Sequence, residues 1–266
     1  MPSLPPSPRP GDTYVQSFAR GLQVVRCFNA QAPEQTLSEV AERAGLTRAG
    51  ARRILLTLQT LGYVESDGKW FRLTPRILDL GFAYLSSMPI WDLAEPVVKG
   101  LVDRVNESSS IAVLDGTDIV YVMRVPTHKI MKISLGIGSR LPAFCTSLGR
   151  VLLAQLDDAE IVQRLHAAPR TAWTRHTVTD PEALLKRIQQ ARRQGWSVVD
   201  QELEEGLISV AAPIHGADGR AGAAINLSGQ ANRTNAKAVQ EQLLPPLLDA
   251  AQEIALRLQR KTRIAR

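Results

Sequence analysis

Residues 36–62 read TLSEVAERAGLTRAGARRILLTLQTLG. Two short amphipathic stretches meet at a glycine. Thr36 precedes the first, and Glu39 follows three residues later, the spacing of a capping box. Residues 37–44 then read as a short helix, with Gly45 as the turn. Thr47 caps a second helix reaching residue 61, and Gly62 closes it. Ala51, Ile54, Leu55, Leu58 and Leu61 recur at helical spacing and are assigned to a core. Thr47, Arg48, Ala49, Arg52 and Arg53 point elsewhere, with Arg48 and Arg52 one turn apart on a shared face. No acid occurs between Arg43 and Glu65. Residues 37–56 thus have the form of a helix-turn-helix. Val40, Ala44, Leu46, Ala51 and Ile54 supply its apolar positions, and Ala41 the small contact. Such a pair places its second helix in the major groove of DNA, N-terminal residues at the base edges. Arg48 and Arg52 are expected to reach bases, where guanine O6 and N7 match a guanidinium. Thr47 and Arg53 are expected to hold phosphates. A face used for protein docking would more often be apolar.

Upstream, residues 14–30 carry an apolar stripe of Val15, Phe18, Ala19, Leu22, Val25 and Cys27, and Pro33 ends that helix. Downstream runs YVESDGKWFRLT, where Asp67-Gly68 between two strand-like runs signals a hairpin. Helix, helix, turn, helix, hairpin is the order of a winged helix. Lys69 and Arg72 on the wing are expected to grip the DNA backbone or minor groove. The expected boundaries are a disordered tail at 1–13, a DNA-reading domain at 14–74, a linker helix at 75–88 and a second domain at 89–266. The tail has five prolines in its first ten residues and lacks an apolar signal core, so a cytoplasmic location is expected. In the linker, RILDLGFAYLSS, Leu78, Leu80, Phe82 and Leu85 are placed to pack on a partner subunit.

The second domain reads as helices at 90–106, 147–156, 158–167 and 181–194, and a final one at 235–259 that Pro245-Pro246 must kink or restart. Strands fall at 109–114, 119–125, 131–135, 196–199, 208–214 and 221–227. The fold class is therefore α+β: a winged helix followed by an α/β domain of mainly antiparallel hairpins. The chain has 266 residues, 44% hydrophobic, and a net charge of +6, which suits a polyanionic partner without requiring one. No apolar run approaches the roughly 18 residues of a membrane span. The two cysteines, Cys27 and Cys145, are far apart, and His128, His166, His176 and His215 are scattered, so neither a disulfide framework nor a metal site is expected. No cofactor motif is present: the chain lacks a P-loop, a Gly-rich dinucleotide loop and a G-x-S-x-G elbow. Ser147, Asp200 and a histidine are the residue types of a hydrolase triad, but nothing in their spacing selects them.

One stretch of the second domain invites a small ligand. In RLPAFCTSLGRVLLAQL, Cys145-Thr146-Ser147 stand at the start of an apolar helix with Thr146 as N-cap. Free backbone N–H groups there favour an anion such as a carboxylate. Thr146 alone is equally readable as a simple cap. Ser209 and Asn226 sit on facing strands, within reach of a hydroxyl or carboxylate. Arg124 or Arg140 is available to pair with an acid, or to lie on the surface.

The stretches SFARGLQVVRCF, TLSEVAERAGLTRAGARRILLTLQTLGYVESDGKWFRLTP, LPAFCTSLGRVLLAQL, DQELEEGLISVAAPI and AAINLSG resemble, in order from residue 17 to 229, the IclR family of bacterial regulators. RILDLGFAYLSS and RLPAFCTSLGRVLLA are most similar to its PcaR/PcaU/PobR branch, which governs aromatic-acid catabolism (protocatechuate, 4-hydroxybenzoate, the β-ketoadipate route). The resemblance implies a winged-helix N-domain and a GAF/profilin-like effector domain. It implies homodimers or tetramers on palindromic double-stranded operators, and control by a small aromatic or dicarboxylic acid. Carried over residue by residue, Ser147 and Leu148 would donate backbone N–H to the effector, and Gly149 would allow its close approach. Asp200 and Glu202 would belong to the acidic loop that closes the pocket; as residue types they also suit a solvated turn. Two other readings stand beside this one: a DNA-binding protein whose second domain only dimerises, and an enzyme with an accessory winged helix.

Overall fold

The computed structural model describes residues 13–87, 90–127 and 135–264, the side chains of 262–264 excepted. The proline-rich stretch 1–12 lies outside these residues, as do His128 and most of the strand expected at 131–135. The chain divides into two compact units between Leu85 and Ser86.

The first unit contains α1 (Gln16–Arg26), β1 (Glu34–Thr36), α2 (Leu37–Arg43), α3 (Arg48–Thr60), β2 (Val64–Ser66), β3 (Trp70–Leu73), a 3-10 turn and α4 (Leu78–Ser86). The capping box forms as read. The Thr36 side chain accepts from the Glu39 N–H, and the Glu39 carboxylate accepts from the Thr36 N–H at 2.7 Å. That second bond chiefly holds the Glu39 carboxyl below its ordinary range. Gly45 adopts φ +61°, a left-handed turn that favours glycine over a residue with a Cβ. The turn lets Val40, Ala41 and Ala44 meet Ala51 and Leu55 in a core closed by Val24, Cys27, Phe28, Val64 and Phe71. Complete burial of Leu55 contributes roughly 1.5–3 kcal/mol. β1, unforeseen in the sequence, joins the wing hairpin in the order β1-β3-β2. Buried Gln35 anchors it by donating to the Cys27 carbonyl at 2.8 Å.

The apolar stripe read along α1 meets the core of this unit only at its C-terminal end, where Cys27 is buried. Val24 is buried, but Val15 and Phe18 are 63% and 68% exposed, and Leu22 is exposed as well. The unit's own helices cover only the C-terminal end of α1. Leu61 is likewise exposed. These residues line an open groove with Leu46, Ile54, Leu58 and Leu80.

The second unit contains α5 (Ile90–Val105), β4 (Ser108–Asp115), β5 (Asp118–Val125), β6 (Arg140–Pro142), a 3-10 turn (Ala143–Cys145), α6 (Ser147–Leu153), α7 (Asp158–Ala167), α8 (Pro181–Gln194), β7 (Ser197–Asp200), β8 (Leu207–His215), β9 (Ala221–Gln230), α9 (Ala236–Ala238) and α10 (Leu244–Ile264). The strands form an antiparallel sheet in the order β6-β5-β4-β9-β8-β7, helices on both faces, of the GAF/profilin kind expected. α5 and α10 pack on one face and α6, backed by α8, on the other. Prolines 245 and 246 lack the N–H that a continuous α-helix needs. A π turn over Val239–Leu243 absorbs the mismatch before α10 begins.

Candidate functional site: an arginine face and an enclosed cavity

On α3 the Thr47 hydroxyl accepts from the Gly50 N–H at 3.1 Å, which fixes the start of the helix. Arg48, Ala49, Arg52 and Arg53 then lie on the exposed side, opposite buried Ala51 and Leu55. Among the described residues no acid pairs with any of the three arginines. This is a solvated, single-sign face on the element that a winged helix offers to DNA.

The wing departs from expectation at one of its two cations. Lys69 is exposed, its ammonium 5.4 Å from the centre of the Trp70 ring. Arg72 occupies the central strand β3, between Glu34 on β1, Glu65 on β2 and Asp67 in the turn, at 3.0, 3.4 and 3.6 Å. It ties the small sheet together instead of standing free. Asp67 accepts the N–H groups of Trp70 and Lys69, which holds its carboxyl below the usual range and shapes the hairpin tip.

In the second unit, strand register builds one wall of a cavity. Arg124, Ser110, Asn226 and Ala211 form one cross-strand row, and Ser108, Ser228 and Ser209 another. Tyr121, Ala112 and Ala224 continue the same sheet face. The alanines are small enough for α6 to pack closely. The hydroxyls and amide come where the helix begins and leave a polar-lined gap. Asn226 accepts from the Ser110 N–H and donates to the Ser228 hydroxyl, both at 3.0 Å. Ser147 donates to the Ser209 hydroxyl at 2.9 Å. Tyr121, Arg124, Thr146, Ser147, Leu148, Glu202, Ser209 and Asn226 all line the cavity. Its apolar side comes from residues such as Leu141, Leu203 and Leu207. Its free volume is about 30 Å³, room for a water molecule or two. Burial pushes the Tyr121 phenol up to about 12, against the opposing influence of Arg124, and raises the Cys145 thiol to about 12 as well. Both stay neutral at physiological pH.

Several expected residues take other places. Arg140 lies on edge strand β6 and bonds Asp115 at 2.6 Å and Asp118 at 3.2 Å, away from the cavity lining. Asp200 is exposed at the end of β7, with its side chain outside the lining. The Thr146 hydroxyl is engaged by the backbone, donating to the Pro142 carbonyl at 3.1 Å and accepting from Gly149 N–H at 3.2 Å. Gly149 is required by the fold: a Cβ there would stand 2.2 Å from the Ala143 carbonyl oxygen.

Sequence reasoning missed the strongest charge interaction of the unit. Arg150 and Glu202 are 1% and 3% exposed. Both terminal nitrogens of Arg150 donate to the Glu202 carboxylate at 2.7 Å, and its Nε donates to the Phe144 carbonyl at 3.0 Å. Glu202 also accepts from half-exposed Arg187 on α8 at 2.9 Å and from the Val178 N–H at 3.1 Å. Glu202 is therefore not part of a solvated turn; it is buried and lines the cavity. The one signal in the sequence was a lone arginine inside the otherwise apolar SLGRVLL. Among the described residues no group of His, Cys, Asp and Glu is arranged to hold a metal ion, and no helix is long and apolar enough to cross a membrane.

Comparison with known proteins joins the two sites. Residues 17–68 match the IclR helix-turn-helix domain and residues 82–256 the C-terminal domain of bacterial transcriptional regulator IclR. The Pca regulon regulatory protein of Pseudomonas putida is 42% identical over 92% of this chain and 84% of its own length. A transcriptional regulator from Rhodococcus sp. RHA1 is 48% identical, with a TM-score of 0.82, covering 92% of this chain and 98% of that one. An IclR homologue from Microbacterium hydrocarbonoxydans, solved with 4-hydroxybenzoate, is 26% identical, with a TM-score of 0.79 over 91% of this chain and 99% of that one. Two domain matches in family order and identity above two-fifths over almost the whole length place the result beyond fold likeness: the chain belongs to the IclR family of bacterial transcriptional regulators.

Proposed function

We infer that the protein is a DNA-binding regulator of aromatic-acid catabolic genes whose DNA affinity a small carboxylate controls. The observation that carries this reading is one chain holding an acid-free arginine face on a winged helix and a separate hydroxyl-, amide- and guanidinium-lined cavity. The relationship to the Pca regulon regulator and to the 4-hydroxybenzoate-bound homologue supports aromatic acids, or their ring-cleavage products, as effectors. Arg48 and Arg52 read base edges. Thr47, Arg53 and Lys69 hold phosphates, with Ala49 against the groove wall. In the cavity Arg124 faces the carboxylate, while Ser147, Ser209 and Asn226 serve a ring hydroxyl or second oxygen. Leu148 packs on the ring. The protein acts in the cytoplasm as a regulator and returns its ligand unchanged.

A recognition helix reads few base pairs, so two copies must act together on a palindrome. A second copy covers the apolar groove of the first unit and the exposed Leu78, Leu80 and Phe82 of α4. Contiguous exposed apolar surface of this kind marks an interface. Charging it, as in Phe82→Asp, should give monomers by sedimentation and abolish operator binding.

The effector acts by population shift: it must favour one arrangement of the two DNA-reading heads to change affinity. Footprinting on the promoter regions of aromatic-acid catabolic genes from the same genome tests this, with 4-hydroxybenzoate, protocatechuate and β-ketoadipate added in turn. A ligand-dependent change in protection is expected, and no change with any of the acids would refute effector control. The tightness of the cavity favours one competing reading, a second domain that only dimerises. Thermal shift separates the two, because a true effector raises stability by mass action.

A further inference from the structure

A benzoate-sized ligand exceeds 30 Å³, so some part of the cavity wall must yield to admit it. The loop that precedes β8 contributes Glu202, Leu203 and Glu204 to the lining, and Leu207 contributes from the first position of β8 itself. Residues 201–206 are a tight loop. The Gln201 N–H donates to the Leu207 carbonyl at 2.7 Å, Gln201 stands at φ +58° and Gly206 at φ +87°. The far end of this loop runs into β8, where Leu207 pairs with Gln230 and the Ala231 N–H donates to the Gly206 carbonyl at 2.8 Å, and the near end is fixed by side chains. The Thr174 and Thr177 hydroxyls donate to the carbonyls of Gln201 and Glu202. The Glu202 carboxylate takes four further bonds, two from Arg150, one from Arg187 and one from Val178. Among the described residues no such side-chain bond reaches Leu203, whose apolar chain lines the cavity between the two fixed ends.

Arg150 links the other half of the cavity to the same post. It sits one turn after Ser147, on the helix that carries Ser147 and Leu148, and its Nε holds the Phe144 carbonyl of the turn before that helix. The pair therefore sets the separation between the serine side of the cavity and the start of its movable wall.

We propose that Arg150 and Glu202 are positioning residues for the effector: their buried ion pair fixes the near end of the loop 201–206 against α6, so that only Leu203 to Glu205, between that end and β8, yield when a small acid binds. The proposal rests on the assignment of this cavity as the effector site. Buried ion pairs add little stability over apolar residues of equal volume, so what this one adds is geometry. A bidentate guanidinium fork fixes angle as well as distance, which a lysine does not.

The test uses the full chain. Ligand affinity is measured by calorimetry and melting temperature by calorimetric scan, with 4-hydroxybenzoate, protocatechuate and β-ketoadipate. The double variant Arg150→Met/Glu202→Leu replaces the pair by apolar residues of similar volume. It is expected to melt near the wild-type temperature while binding the acid that the wild type binds about tenfold or more weakly, the scale on which residues that orient a binding group from behind act. Wild-type affinity in a stable double variant overturns the proposal. Should the double variant fail to fold, Arg150→Lys decides: it keeps the charge and loses the fork. A folded Arg150→Lys protein with weakened binding supports positioning, and one with unchanged binding overturns it. A wild type that binds none of the three acids instead removes the effector-site assignment, and the proposal falls with it.

Discussion

Arg52 on α3 is exposed, and no acid reaches it among the described residues, whereas Arg150 on α6 is buried and donates through all three of its nitrogens. The first unit keeps its arginines in water, where a charge needs no protein partner and remains available to a polyanion. The second unit takes its arginine out of water, where a charge must be matched by an acid before the fold can close. One side-chain type thus gives a solvated cationic face in one unit and a fixed post beside a cavity in the other. Arg72 stands between the two cases: partly covered, it is drawn into a cluster of three acids and serves the wing sheet.

The contrast predicts opposite consequences of removing a partner. Glu202→Ala leaves Arg150 buried without its carboxylate and should cost about 3–5 kcal/mol of stability. Urea unfolding followed by circular dichroism measures it, and a loss below about 1 kcal/mol would mean that water reaches Arg150 readily. Arg52→Ala should leave unfolding unchanged within about 0.5 kcal/mol, as surface substitutions do. Its effect belongs to DNA binding: about 1–3 kcal/mol lost on the operator, with relaxed base preference. Equal losses on operator and random DNA would return Arg52 to a phosphate role.

The same contrast explains what could be read from the sequence. The helix-turn-helix was legible because its signals are local: a capping box at Thr36, a left-handed glycine at Gly45, and a helical repeat that separates arginines from leucines. α7 and α8 were equally clear. Asp157 and Asp180 cap their starts with side-chain bonds, and Gly195 ends α8 in the left-handed conformation. The cavity was half legible. Ser147, Ser209 and Asn226 were found, but Arg124 and Arg140 could not be ranked. Strand register decides between them, placing Arg124 opposite Ser110 and Arg140 beside two acids. The Arg150–Glu202 pair spans 52 residues, and no local pattern announces its partner. The stripe on α1 marked a helix that forms, but not what covers its exposed part. Periodicity shows that a face is apolar but not which molecule covers it.

A third test probes the exposed anchors of the first unit. Thr36→Ala removes the capping box before α2 and should cost about 1 kcal/mol. Because the Glu39 carboxyl is held below its ordinary value of 4.5, its share is present above that pH and is lost as pH falls through its lowered folded value. The stability difference between wild type and Thr36→Ala, followed by urea unfolding from pH 7 to pH 3, should therefore shrink on acidification. A difference that stays constant would show that Glu39 contributes nothing through its charge.

The smallest effect separates the two wing cations, which looked alike in the sequence. Lys69 is exposed, with its ammonium over the Trp70 ring, so Lys69→Ala should weaken binding to operator and random DNA alike. Loss of one phosphate contact should flatten the slope of log K against log salt by about 0.9. Arg72 is held by Glu34, Glu65 and Asp67, so Arg72→Ala should leave that slope nearly unchanged. It should instead loosen the β1-β3-β2 sheet, seen as faster amide exchange in the wing. Fluorescence anisotropy over a salt series reads both variants in one experiment. If Arg72→Ala flattens the slope as much as Lys69→Ala, DNA draws Arg72 away from its acids on binding. The wing would then be a switchable element, and its present ion cluster the state that DNA displaces.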